Sequence, residues 1–112
     1  MVLLINRARQ EAVLSSRTWR VVMDPGKGAY RFQKRYGQDF EPAKESPFAA
    51  ARRDPGIRWG DLDINGESAS EEGDVYLYPT GEQDAMRLTL SNGDQRRVVV
   101  LEPVGRARVE RP

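Results

Sequence analysis

An acidic segment in the middle of the 112-residue chain has the spacing of a cation-binding loop. Its side chains and turn glycine follow the EF-hand calcium pattern, in which oxygens recur so that they wrap the ion: Asp61, Asp63, Asn65, Gly66 and Glu72. Against this pattern, the preceding Asp54-Pro55-Gly56 does not suit an entering helix, and Gly73 interrupts an exiting one. We therefore interpret the segment as a solvated acidic loop and predict no bound metal. A calcium loop without flanking helices is the alternative.

Side chains suited to catalysis are scarce. The chain has no His and no Cys, which excludes Ser–His and Cys–His nucleophile pairs and most zinc and transition-metal sites. Gly26-Lys27-Gly28 lacks the third glycine and the following helix of a nucleotide-binding loop. We therefore predict a protein that is not an enzyme and holds no cofactor.

Arginines near the C-terminus form a candidate polyanion site. Arg106 and Arg108 are predicted to share one face of an edge strand at Ala107 to Glu110, with Arg111 just beyond it. Two such side chains about 7 Å apart match the spacing needed to bridge backbone phosphates. We interpret this charge as the kind that an edge strand carries to block aggregation, and phosphate binding is the alternative.

Charge is unevenly placed along a chain whose net charge is +1. Residues 1–35 carry eight Lys or Arg against two acidic residues, whereas residues 36–74 carry four against ten. This pattern favours self-complementary surfaces, or charges that solvate opposite faces, over a dedicated polyanion binder.

The element that positions the rest is a predicted helix over residues 1–16. Apolar residues recur there at steps of three and four and form one stripe: Met1, Leu4, Ile5, Ala8 and Ala12. The first five residues are apolar on every side, which predicts a buried helix end, yet spanning a bilayer needs roughly 20 apolar residues. We interpret residues 1–16 as the end of a longer helix whose upstream part is missing from this sequence. The alternative is a helix start that tucks into its own domain.

The helix is expected to contact other proteins through Leu4, Ile5 and Ala8. On this hypothesis, a charge at Leu4 or Ile5 impairs assembly of the full-length protein and leaves the isolated domain folded.

Alternating residues predict strands at Arg17 to Met23 and Tyr30 to Lys34, joined by the turn Asp24 to Gly28. Residues 37–73 are predicted to be a variable connection. In it we expect a helical turn near Phe48 to Arg52, a strand at Ile57 to Ile64 interrupted at Gly60, and a mobile loop at Ser68 to Asp74. Three aromatic residues are expected to attach this connection to the core: Phe40, Phe48 and Trp59.

The C-terminal third is predicted to hold further strands, at Val75 to Tyr78, Met86 to Leu90, Arg97 to Leu101 and Ala107 to Glu110. Asn92-Gly93 between two of them is a strong hairpin signal. The prediction is a single α+β domain over residues 1–112, with the helix packed on antiparallel sheet of about six or seven strands.

The order of several short segments resembles the type IV pilin-like minor pseudopilins, and more closely the H-type minor pseudopilin of bacterial type II secretion. The segments are Ala8-Arg9-x-Glu11-Ala12, a Trp/Val strand, a Tyr-x-Phe strand, Val75 to Gly81, Leu88-x-Leu90, Asn92-Gly93 and Val104 to Val109. The resemblance covers nearly the whole chain except residues 37–73.

The resemblance implies a structural role at the tip of a periplasmic pseudopilus, in support of protein export. It further implies a leader cut by the prepilin peptidase, methylation, and an apolar helix that anchors the full-length protein in the inner membrane. The implied partners are other minor pseudopilins and the major pseudopilin, with secreted cargo as a further candidate.

A second resemblance is to a minor pilin of the type IV pilus that binds DNA during uptake. In that group a basic Gly-Arg-x-Arg segment is implicated, which Gly105, Arg106 and Arg108 match. A free-standing ligand-binding β domain is a third alternative, but it leaves the apolar helix start unexplained.

Overall fold

The computed structural model describes residues 1–111, which contain one helix and ten strands. In chain order these are α1 (Val2–Ser15), β1 (Trp19–Asp24), β2 (Ala29–Tyr36), β3 (Asp39–Pro42), β4 (Arg52–Arg53), β5 (Arg58–Ile64), β6 (Glu67–Ser68), β7 (Gly73–Leu77), β8 (Met86–Asn92), β9 (Gln95–Leu101) and β10 (Arg108–Glu110). All strand pairs are antiparallel, so the predicted α+β class is confirmed. The described residues form ten strands, whereas six or seven were expected.

Helix α1 buries the predicted stripe against the sheets. Ile5, Ala8 and Ala12 are at most 1% exposed, and Met1 and Leu4 pack at the edge of the same cluster. The helix ends because Ser16 adopts the left-handed conformation, with φ of 53°. The next amide, that of Arg17, then donates to the carbonyl oxygen of Ala12 at 3.2 Å, which satisfies one of the orphan carbonyls at the helix end.

The first sheet has the order β3-β2-β1-β7, and β4 pairs with the same strand β2. Its centre is the predicted hairpin, in which Trp19 pairs with Lys34 and Asp24 with Ala29. Alternate residues of β1 enter the core, and Trp19 and Phe32 each meet Phe48 at 5.0 Å between ring centroids. Phe48 therefore attaches its segment to the core, as predicted.

The second sheet has the order β10-β9-β8-β5-β6 and contains two tight hairpins. The β8–β9 hairpin is confirmed, but Asn92 pairs with Gln95, so the turn residues are Gly93 and Asp94. Gly93 has φ of 61°, which a two-residue turn of this kind needs at its first position. Strand β5 has an irregular register between Trp59 and Leu62, which agrees with the predicted interruption at Gly60.

Residues 37–73 contain four strands, β3, β4, β5 and β6, of which only β5 was expected. The expected helical turn at Phe48 to Arg52 is wrong: the backbone bends there and Arg52 pairs with Tyr30 of β2. The expected loop at Ser68 to Asp74 is shortened at both ends by β6 and β7.

The other two expected aromatic anchors, Phe40 and Trp59, are less buried than Phe48. Trp59 is only partly buried against the core. Phe40 lies outside the core cluster and has the Arg20 guanidinium 4.1 Å from its ring centre.

Candidate interaction surface

A buried asparagine fixes α1 to the C-terminal segment. Asn6 is 7% exposed, and its Nδ2 donates to the carbonyl oxygen of Ala107 at 3.1 Å. The amide of Ala107 donates back to Asn6 Oδ1 at 2.7 Å. One side chain thus satisfies both backbone groups of a residue 101 positions away, which fixes the helix to the segment just before β10.

A buried glutamine makes the second attachment. Gln83 is 6% exposed, and its Nε2 donates to the carbonyl oxygens of Glu102 and Gly105 at 2.7 and 2.6 Å. Its Oε1 accepts a hydrogen bond from Arg9 Nε at 2.5 Å, which links the helix to the same segment. Burial lowers the pKa of the Arg9 guanidinium, and the nearby charge of Arg106 lowers this pKa further.

These attachments determine which side of α1 faces outward. Leu3 is 77% exposed, Val13 48% and Leu14 78%, so three large apolar side chains of the helix lie in solvent. Arg9, Gln10, Val13 and Leu14 line a shallow depression of 350 Å³ there. We call Leu3, Gln10, Val13 and Leu14 the outer helix face. An exposed apolar surface rimmed by polar groups is typical of a protein-contact site.

The structure corrects the residues expected to make contacts from the helix. Ile5 and Ala8 are 1% and 0% exposed in the core of this domain, and Leu4 is partly buried. Ile5 and Ala8 are therefore unavailable to another protein while the domain is folded. A charge at Ile5 is expected to unfold the domain, contrary to the expectation from sequence, because a buried unpaired charge is strongly unfavourable.

The candidate polyanion site differs from its prediction in geometry and charge. Only Arg108 of the three arginines lies in a strand, since β10 begins at that residue and ends before Arg111. Its Nη2 donates to Glu110 at 2.8 Å and to Glu102 at 3.2 Å, and these bonds raise the pKa of the Arg108 guanidinium. Two carboxylates thus compensate a charge that DNA binding would require, and Arg106 does not share the strand.

The acidic segment forms a hairpin in place of a cation-binding loop. Asp61 and Asp63 lie in β5, and Asn65 and Gly66 form the turn to β6 with φ of 52° and 81°. Asn65 Oδ1 accepts from the amide of Ala85 at 2.9 Å. Glu72 lies beyond β6 and pairs with Arg31 at 2.9 Å.

Two residues of the calcium pattern, Asn65 and Glu72, thus bond other groups of the protein. Across residues 1–111, no cluster of three or more His, Cys, Asp or Glu residues is arranged to hold a metal ion.

Sequence reasoning missed Asn6 and Gln83, which are the residues that orient the helix. The only signal for Asn6 is its place beside the buried stripe, next to Ile5. Gln83 lies in an irregular segment between β7 and β8 and carries no periodic signal.

Comparison with solved structures identifies the fold of this chain. The chain superimposes on the minor pseudopilin EpsH from the type 2 secretion system of Vibrio cholerae with a TM-score of 0.73 and 18% sequence identity. The match covers 98% of this chain and 88% of that one, so the chain has the pseudopilin fold. No curated protein sequence matches it.

The family follows from the sequence. Residues 1–105 match the family model described as type II transport protein GspH, and the chain therefore belongs to the GspH family, the H-type minor pseudopilins of type II secretion. This confirms the resemblance drawn from the short segments. The family is structural and is not known as an enzyme family.

Pseudopilins of this kind are anchored in the inner membrane and place their domain in the periplasm. Over residues 1–111, the helix is too short and too polar to cross a bilayer.

Proposed function

We propose that this protein is a structural subunit at the tip of the type II secretion pseudopilus, where it supports pseudopilus assembly and protein export across the outer membrane. The observation that carries the proposal is the GspH family match over residues 1–105, supported by the pseudopilin fold. Family membership implies interaction with other pseudopilins. Secreted cargo is a further candidate partner.

The outer helix face is the surface proposed to make these contacts. Leu3 and Leu14 are each more than three-quarters exposed, so neither side chain is part of the core. Burial of a leucine in an interface stabilises it by about 1.5–3 kcal/mol. We further propose that α1 continues the membrane-anchored helix of the family, with Leu4 at the border between core and contact surface.

A secretion assay with a matched control tests this function. Full-length protein carrying Leu3→Glu and Leu14→Glu is produced in a strain that lacks its own H-type pseudopilin, and the exported protein is measured in the medium. We expect export to fall at least about 10-fold, because that corresponds to only ~1.4 kcal/mol of lost binding. The thermal midpoint of the 112-residue domain should be unchanged.

The control carries Val104→Glu and Val109→Glu, which add the same charge at exposed valines outside the helix. Normal export with the helix variant, or an equal loss with the control, would contradict the proposal.

A further inference from the structure

One groove of the molecule is lined mainly by two loops and does not include the outer helix face. It lies between the β1–β2 turn and the connection from β4 to β5, and its volume is 420 Å³. Prolines from both loops and one indole form its apolar walls: Pro25, Pro55 and Trp59. Clefts of about 300–1,000 Å³ are the size in which proteins bind small ligands, so this groove has room for a few side chains of a partner.

Three cations line this groove without an acidic partner. Lys27, Arg53 and Arg58 form no ion pair within 4.0 Å and no side-chain hydrogen bond with any group in residues 1–111. Asp54 is the one carboxylate in the lining. The lining therefore holds three cations against one carboxylate, which gives the groove an excess of positive charge.

A hydrogen-bond donor lies in the same groove. The Trp59 indole packs against Gly28, where a side-chain carbon would lie 3.6 Å from Cδ1 and 3.7 Å from Nε1. Gly28 has φ of 60°, so the turn strongly favours glycine, and the indole packs directly over its backbone. The indole N–H donates to no group in the part of the chain that the structure describes.

We propose that this groove binds an acidic peptide segment of a partner protein. Carboxylates of the segment would bond the guanidinium groups of Arg53 and Arg58, the ammonium of Lys27 and the Trp59 N–H, since charge-assisted bonds of this kind are the strong ones. The indole and proline rings would contact the peptide backbone between the carboxylates. The groove and the outer helix face are separate sets of residues, so this proposal does not depend on the assembly role.

The charge pattern favours a peptide over a continuous polyanion. Asp54 lies within the groove and would repel a phosphate chain that followed all three cations. The net charge of the whole protein is only +1, which gives DNA little long-range attraction. A peptide can place its carboxylates beside the cations and leave Asp54 facing an uncharged residue.

The first experiment follows the two indole N–H signals of the chain by two-dimensional NMR at low salt. The probe is a capped peptide with three glutamates separated by alanines, and its counterpart has glutamine at those positions. We expect the glutamate peptide to shift the Trp59 indole signal and the amides of Gly28 and Gly56. The signal of Trp19, which is 1% exposed, should not move.

The second experiment measures affinity with matched charge variants. Arg53→Gln with Arg58→Gln should weaken binding of the glutamate peptide about 10-fold or more, as expected for the loss of charge-assisted bonds. The control, Arg7→Gln with Arg96→Gln, removes the same two charges from exposed positions outside the groove and should change the affinity less than about 2-fold.

Several results would overturn the proposal. The Trp59 signal could fail to shift at low salt, or the glutamine peptide could bind as tightly as the glutamate peptide. The control pair of substitutions could also weaken binding as much as the groove pair. Displacement of the peptide by an equal concentration of inorganic phosphate or short duplex DNA would indicate a general anion site and would also overturn it.

Discussion

Asn6 is the residue on which the orientation of the helix most depends. Its truncation in Asn6→Ala leaves the buried amide and carbonyl of Ala107 without partners, and each such group costs about 1–3 kcal/mol. We expect the free energy of unfolding, measured in urea, to fall by at least about 2 kcal/mol. Gln10→Ala on the exposed side of the same helix is the control and should stay within about 0.5 kcal/mol. Equal stabilities would show that the Asn6 bonds contribute nothing.

The Lys34–Glu45 ion pair makes stability depend on pH. Its hydrogen bond, at 2.7 Å, lowers the pKa of Glu45 from 4.5 and raises the pKa of Lys34 from 10.5. The Glu45 contribution is therefore present above its ordinary pKa and is lost as pH falls through the lowered value. The Lys34 contribution is present below its ordinary pKa and is lost as pH rises through the raised value.

Glu45→Gln should therefore reduce the free energy of unfolding by about 0.5–1 kcal/mol at neutral pH, a range that allows for the partial exposure of the pair. The difference from wild type should close in acid, where Glu45 is protonated in both states. The control is Glu41→Gln, which removes an exposed carboxylate of β3. Measured over the same pH range, its stability difference from wild type should not close in acid. A Glu45→Gln difference that is constant across pH would refute the ion-pair account.

Single residues were predictable from the sequence where periodicity identified them. Ile5, Ala8 and Ala12 follow the helical period, and all three are buried. Asn6 and Gln83 were not predictable, because their partners are backbone groups 101 and 22 residues away, and a pattern of side-chain types does not encode such distances. Arg108 is a candidate for phosphate contact only in the alternative interpretation, and the sequence does not reveal that Glu102 and Glu110 are its partners.

Among the elements, the β5–β6 hairpin depends on one two-residue turn. Gly66 has φ of 81°, with open space where a side chain would point. Gly66→Ala should destabilise the domain by about 1–2 kcal/mol through backbone strain alone. Gly26→Ala is the control, since its φ is ordinary and its nearest contact would be 3.5 Å. Thermal unfolding of both variants checks this, and equal midpoints would contradict the turn assignment.

The elements missed from the sequence are short strands. Strands β3, β4 and β6 are two to four residues long, too short to show alternation, and their pairing partners decide their conformation. Asn65-Gly66 fits the calcium pattern as well as a hairpin, because the same two residue types serve both a tight turn and a cation loop. The longer hairpins β1–β2 and β8–β9 were predicted because alternation and turn residues agree there.

At the scale of the whole molecule, the helix serves both the core and the surface. One side completes the core over both sheets, and the other presents Leu3, Val13 and Leu14 to solvent. The buried side is rigid because Asn6 and Gln83 fix it to the C-terminal segment. A partner that binds the outer helix face would therefore meet a pre-ordered surface and lose little conformational entropy.

Cysteine cross-linking in the assembled system tests the central claim, that the outer helix face contacts other pseudopilins. The chain has no Cys, so a single cysteine at Leu3 or Leu14 gives an unambiguous probe, and Asp94 in the β8–β9 turn is the control position. With cysteines placed on the other pseudopilins, we expect disulfide-linked pairs from positions 3 and 14 and none from position 94. Pairs formed only from position 94, or none from the helix while export is normal, would contradict the account.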